Sequence, residues 1–209
     1  LNRQECPNWF SSPISDSRVD SQRQDWWRIP DFANQSGDIK QYWELSRFDW
    51  VIRYAQLATV PNSHASGASI KYRAQLDAWL VDWLEENPPY KGINWKCGQE
   101  ASIRVMHLIC AARITGILRT PTAGLLSLIE LHLQRIAPTM SYAVAQDNNH
   151  GTSEAAALFV GGLFLKQNGV SAGAKWAKVG RKWLENRAAR LIGADGSFSQ
   201  YSVNYHRVM

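Results

Sequence analysis

Six stretches of helical periodicity, most of them ended by a proline, asparagine or glycine, dominate this chain from Asp38 onward. They cover about 38–59, 69–86, 98–118, 122–145, 151–168 and 171–191, with breaks such as Pro61-Asn62-Ser63, Asn87-Pro88-Pro89, Thr120-Pro121 and Asn168-Gly169. In the third stretch Ala101, Val105, Leu108, Ile109 and Ala112 follow the i, i+4, i+7, i+8, i+11 spacing of one buried stripe. Glu100, Arg104 and Arg113 fall largely off that stripe. No comparable run alternates with period two, and Asp195-Gly196 follows a helix rather than joining two strands. The pattern predicts an all-α fold.

Consecutive helices of about 20 residues, each roughly 30 Å long, must run antiparallel when short loops join them. A helix that begins near residue 151 at one end of the bundle therefore has a partner returning to that end near 191. The loop 192–198 lies there too, and Tyr205 follows it, on the same rim as Asn149 and His150. Counting backwards, the loop 87–97, with Tyr90, Asn94 and Trp95, opens on that rim as well. Three segments distant in sequence are thus expected to meet.

With 209 residues, 45% of them hydrophobic, the chain can bury one sizeable core. Residues 1–37 lack sustained periodicity and are read as an irregular leader that packs through its aromatics on a body spanning 38–209. Of the ten tryptophans, Trp79, Trp83, Trp176 and Trp183 sit in helical patterns that favour core packing. Trp26, Trp27 and Trp95 lie in loop-like sequence, where stacking on a sugar ring is an alternative to packing. The formal net charge of +5 suits an anionic ligand, but the basic residues are scattered, which argues against nucleic acid as a partner. Cys6, Cys97 and Cys110 show no CxxC spacing, so neither a disulfide framework nor a structural zinc site is expected. No apolar run reaches the length of a membrane span.

Candidate chemistry concentrates in Asp147-Asn148-Asn149-His150-Gly151 and in Tyr201-Ser202-Val203-Asn204-Tyr205-His206-Arg207. Asn149 and His150 open a helix, where free N–H groups and the helix dipole favour an anion. Simple capping by Asp147, Asn148 or Asn149 accounts for part of the same pattern. Tyr205, with Tyr201 one turn earlier as its competitor, can equally be an inward-packing residue of an amphipathic helix. No phosphate loop, GxSxG elbow or HExxH occurs. Glu100, Asp147, Glu154 and Asp195 are the rim carboxylates, and no spacing singles out a pair for glycoside hydrolysis. Glu44, Glu100 and Glu154 are expected to pair structurally with Arg47, Arg104 and similar partners.

Four segments, in order, carry a family resemblance: Asp38-Ile39-Lys40-Gln41-Tyr42-Trp43-Glu44-Leu45-Ser46-Arg47; Asn94-Trp95-Lys96-Cys97-Gly98-Gln99-Glu100-Ala101-Ser102-Ile103-Arg104; Asn148-Asn149-His150-Gly151-Thr152-Ser153-Glu154-Ala155; and Asp195-Gly196-Ser197-Phe198 leading to Asn204-Tyr205-His206-Arg207. Through them the region from Asp38 to Met209 resembles the helical domain of heparinase II/III-like polysaccharide lyases, a group that includes alginate and heparin lyases. The resemblance implies an incomplete (α/α) toroid, followed in the family by antiparallel β-sheet modules. It implies β-elimination on a uronate-containing glycan, with Asn149, His150 and Tyr205 as catalytic residues. Trp95, Gln99, Tyr201, His206 and Arg207 are the substrate-binding candidates. The implied partner is an anionic polysaccharide, and the implied location is periplasmic or secreted. Neither an organic cofactor nor a metal site is expected within residues 1–209. A further histidine or tyrosine usually comes from sequence equivalent to that beyond Met209, so residues 1–209 alone are expected to be nearly inactive.

Two other classes stand beside the lyase. A non-catalytic helical domain that binds acidic glycan during assembly or export shares the basic balance and the rim aromatics. A glycoside hydrolase on an (α/α) barrel ranks third, because no carboxylate pair stands out.

Overall fold

The computed structural model describes residues 6–15, 17–19, 24–30, 32–33, 37–60, 67–200, 202 and 204. The fold is all-α. Its helices are α1 (Asp49–Thr59), α2 (Ala68–Glu86), α3 (Gly98–Ile114), α4 (Ala123–Ile136), α5 (Met140–Ala145), α6 (Asn149–Gln167) and α7 (Ala172–Leu191). The only paired strands among the described residues are β1 (Phe32–Ala33) and β2 (Gly37–Asp38), a short antiparallel pair.

Two expected helices are interrupted, each for a local reason. The stretch 38–59 begins as 3-10 turns, Ile39–Tyr42 and Glu44–Arg47, and only then becomes α1. Phe48 stands between them with φ of 69°, a left-handed conformation that ends one helix direction and starts another. The stretch 122–145 is divided by the 3-10 turn Ala137–Thr139, where Pro138 withholds a backbone donor. At a few other boundaries a side chain acts as a cap. Asp38 accepts from the Lys40 N–H and Thr122 from the Leu125 N–H.

The direction of each late helix follows from its close contacts. Gly162, Gly173 and Gly180 form a seam between α6 and α7. A Cβ on Gly162 would lie 2.4 Å from the Ala177 nitrogen, and one on Gly180 would lie 2.3 Å from the Phe159 nitrogen. Residues 159, 162 and 166 thus face 180, 177 and 173, and the two helices are antiparallel with their backbones nearly touching. Between α3 and α6 the order is the opposite. Gly98 meets Glu154 and Val105 meets Gly161, so these two helices run parallel and begin at the same end.

The leader contributes to the core directly. Trp9 is buried, donates its Nε1–H to Asp82 at 2.7 Å, and lies against Trp50 and Trp79 with ring centroids 5.6 and 6.2 Å away. Helix α3 departs from the single-stripe expectation, because Glu100 and Arg104 are buried along with Ala101, Val105, Leu108 and Ala112. Both polar side chains reach partners, which is what makes their burial tolerable.

The glycine seam generates a direct test. Gly180→Ala should destabilise the protein by about 1–3 kcal/mol in urea unfolding, because backbone atoms on α6 cannot yield to the new methyl. Gly124→Ala, at a helical position with open space around it, should leave stability unchanged or raise it by up to about 1 kcal/mol.

Candidate functional site

The start of α6 is built from four consecutive residues with separate tasks. Asp147 takes φ of 48° and receives Arg187 at 2.6 Å and Arg190 at 2.7 Å, which ties the end of α7 to this turn. Hydrogen bonds from Arg190 and Arg187 hold its carboxyl below the usual carboxylate range. Asn148 is the cap, its Oδ1 accepting from the His150 N–H at 2.9 Å. Asn149 is buried, and its N–H donates to Oε1 of Gln200 at 2.9 Å. His150 is partly open, with its side chain 28% exposed and Nδ1 3.6 Å from Oε1 of Glu154.

Gln200 arrives from the segment after α7. The bridge Ile192↔Phe198 folds that segment back, and Asp195 accepts from the Ser197 N–H at its tip. The start of α6, the end of α7 and residue 200 therefore meet at one end of the molecule. The start of α3 joins them through the Gly98–Glu154 contact. Tyr201, Tyr205, His206 and Arg207 lie outside the described residues.

The loop before α3 supports this end from within. Trp95 corrects one expectation, since it is fully buried and offers no face to a sugar. Its Nε1–H donates to the Asn87 carbonyl, and its ring packs against Trp83, Tyr90 and His132. Arg104 donates to the Asn94 carbonyl at 2.7 Å and to Nε2 of His132 at 2.8 Å. Arg135 donates to the Trp95 and Lys96 carbonyls. Burial draws both guanidinium groups down to about 10, so both remain charged near neutral pH. Gln99 is half-buried in the first turn of α3.

Aromatic surface at this end comes from the leader instead. Trp26 donates its backbone N–H to the Tyr90 carbonyl, and its ring lies 3.5 Å from the Arg135 guanidinium carbon. Trp27 stands edge-on to Trp26 and is 59% exposed. Lys91 bonds Asp25, and Lys96 bonds the Ile29 carbonyl, which fixes the leader to the loop.

The rim carboxylates differ sharply in their partners. Glu100 is held by Arg47 through Nε and Nη2 at 2.8 and 3.0 Å, and Arg47 also bonds Glu44. Arg104, expected as a partner for an acid, bonds carbonyls and an imidazole instead. Among the described residues no arginine hydrogen-bonds to Glu154, although the Arg135 charge acts on it. Glu154 is 3% exposed, and its Oε2 is buried with no hydrogen-bond partner. Thr152 Oγ1 is similarly placed, so two of the three such side-chain atoms among the described residues belong to the start of α6.

Neighbouring Cys97 is a free thiol that burial pushes up to about 11, which removes it as a nucleophile near neutral pH. Among the described residues no group of three His, Cys, Asp or Glu side chains is arranged to hold a metal ion. No described helix is long and apolar enough to cross a membrane. No family model matches the chain, and neither a curated protein nor a solved structure shows significant similarity to it.

Sequence reasoning passed over Gln200, which lies between a glycine turn and Tyr201 with nothing local to mark it. It placed Arg104 outside the buried stripe, and no local signal in the mixed sequence of α3 marks its burial. It also passed over His132 and Arg135, one turn apart on α4.

His132 supplies a pH test of this support. Burial and the adjacent Arg104 charge hold its pKa well below 6.5. The unfolded chain therefore binds a proton that the folded chain refuses. Stability from the neutral ring is complete above about pH 6.5 and declines as pH falls below it, by at most about 1.4 kcal/mol per pH unit. Urea unfolding of His132→Gln, compared with the parent at pH 7.5 and pH 5.5, should show a shallower acid loss.

Proposed function

We propose that this protein is a polysaccharide lyase of the heparinase II/III-like kind, whose helical body is part of an (α/α) toroid and whose substrate is a uronate-containing glycan. Two observations support the architecture. Helices α3 and α6 begin at the same end and run parallel, although a turn back through α4 and α5 separates them. Helix α7 then returns antiparallel to α6, the alternation of a repeating helical hairpin.

The observation that carries the chemistry is the start of α6, where a capped helix N-terminus presents a half-open imidazole beside a buried amide. The C5 proton of a uronic acid lies α to a carboxylate and becomes acidic when that carboxylate is neutralised. His150 would bond the carboxylate, joined by Asn149 once its buried side chain is uncovered, and both would stabilise the aci-carboxylate that forms as the proton leaves. The C5 proton would pass to a base, the further histidine or tyrosine that the resemblance implies beyond Met209, as the bond between C4 and the glycosidic oxygen breaks and a C4–C5 double bond forms. Tyr205 would protonate the departing oxygen. With an ordinary pKa of about 10, a tyrosine is an acid near neutral pH. Trp27, exposed beside Trp26, is the aromatic surface best suited to a sugar ring.

The state of the carboxylates favours elimination over hydrolysis. A hydrolase needs two carboxyl groups facing one bond. Here Glu100 is engaged by Arg47, Asp147 by two arginines and Asp195 by its own turn.

The test uses full-length protein with alginate and heparan oligosaccharides, following the far-ultraviolet absorbance of the unsaturated product. Tyr205→Phe should lower the rate by about 100-fold or more, and His150→Ala by a similar factor. An unchanged rate in Tyr205→Phe would remove its acid role. Oligouronide binding without any unsaturated product would instead identify a glycan-binding domain.

A further inference from the structure

Glu154 is the least explained side chain in the molecule. A carboxylate with 3% exposure and a buried oxygen lacking any partner costs stability unless its position serves something else. It is one helical turn after His150, and its Oε1 lies 3.6 Å from the imidazole Nδ1. Its carboxyl group also rests on Gly98, where a Cβ would sit 2.6 Å from its carbon and from both oxygens. Any residue but glycine at 98 would push this carboxylate away. Thus a position on α3 leaves room for a side chain from α6, and that side chain reaches the one half-open imidazole at this end.

We infer that Glu154 is a positioning residue for His150: its carboxylate faces Nδ1 at 3.6 Å, longer than a hydrogen bond, and from there favours the proton on Nδ1, orients the ring and leaves Nε2 for the ligand. The inference rests on the lyase reading for its consequence, though not for its geometry. A neutral imidazole carries one proton, and the bond made by one nitrogen decides which nitrogen holds it. A carboxylate only accepts, so it selects the ring with hydrogen on Nδ1. When the ring carries both protons, Nε2–H points toward an anionic substrate while Glu154 balances the charge from behind. The pair resembles the arrangement in which a carboxylate behind a histidine sets its tautomer and direction. Glu100, the other acid near Cys97, does not compete, since Arg47 occupies both its oxygens.

The test is nitrogen NMR of the full-length protein with labelled histidine, the His150 signals being assigned by their loss in His150→Gln. At a pH where the ring is neutral, the proton should reside on Nδ1. Glu154→Leu should move it to Nε2. Gly98→Ala, which touches neither residue's covalent structure, should do the same by displacing the carboxylate. Circular dichroism of each variant checks the fold. If Glu154→Leu fails to fold, Glu154→Gln and Gly98→Ala carry the test. Glu154→Gln should lower kcat about 10- to 100-fold with a smaller change in KM.

A parent ring protonated on Nε2, or a tautomer unchanged in both Glu154→Leu and Gly98→Ala, overturns the inference. The two proposals fail separately. Absence of unsaturated product with the tautomer shift intact overturns the lyase reading alone. Normal elimination with no tautomer shift overturns only the role of Glu154.

Discussion

The guanidinium of Arg104 is the interaction on which the rest of this structure depends. It is wholly buried and has no carboxylate bonded to it, a situation that desolvation alone would make costly by several kcal/mol. Three things offset that cost. Trp83, Trp95 and Phe48 surround the charge with ring faces, at 5.1, 5.6 and 5.9 Å from the guanidinium carbon. The Asn94 and Ser46 carbonyls accept from its terminal nitrogens. His132 accepts at Nε2, and its Nδ1 meets the Leu128 carbonyl, so the imidazole is held neutral in the tautomer the arginine requires. One side chain on α3 thereby joins the turn before α1, the loop before α3 and the middle of α4.

Support then passes outward in steps. Arg104 fixes Asn94, and Arg135 fixes Trp95 and Lys96, so this loop has its carbonyls engaged before it turns into α3. The loop sets the position of Gly98, and Gly98 in turn sets where Glu154 can lie. On its other side Arg135 stacks on Trp26, which brings the leader and its exposed Trp27 to the same end. The half-open imidazole thus stands on a frame of buried charge and backbone carbonyls. A frame of that kind resists the small displacements that catalysis tolerates poorly.

How much of this could be read from residue order depends on the range of each interaction. Period and punctuation are local, so α2, α3, α6 and α7 were legible to within a few residues. The two interrupted helices depended on single residues. Phe48 adopts a left-handed conformation that its side chain does not announce, while Pro138 was visible but lies inside a strongly apolar pattern. Antiparallel counting was enough to bring residues near 150, 190 and 200 together, because the connections there are short. Trp95 was harder. A tryptophan in a loop reads as exposed, and only the buried Asn87 carbonyl and the rings around it show why it points inward. Glu154 was harder still, since the pairing rule for acids and arginines supplied a plausible partner that the fold does not bring to it.

The arrangement of the acids bears on the proposed polyanionic ligand. A rim with four ionised carboxylates would repel a uronate chain, and charged residues facing a like-charged ligand cost affinity. Here Asp147 is bracketed by Arg187 and Arg190, Glu100 is held by Arg47, and Asp195 closes its own turn. Glu154 alone lies close behind the imidazole, and it is buried there rather than presented to solvent. Beside the tryptophan pair, Arg28 and Lys91 share one acid, Asp25, so the leader side carries a net positive charge there. An anion approaching the α6 start therefore meets the half-open imidazole of His150, while the Asn149 and His150 N–H groups are already engaged by Gln200 and Asn148. Glu154 also lies within reach of the Arg135 charge on α4, so it adds little to any repulsion of an anion at this end.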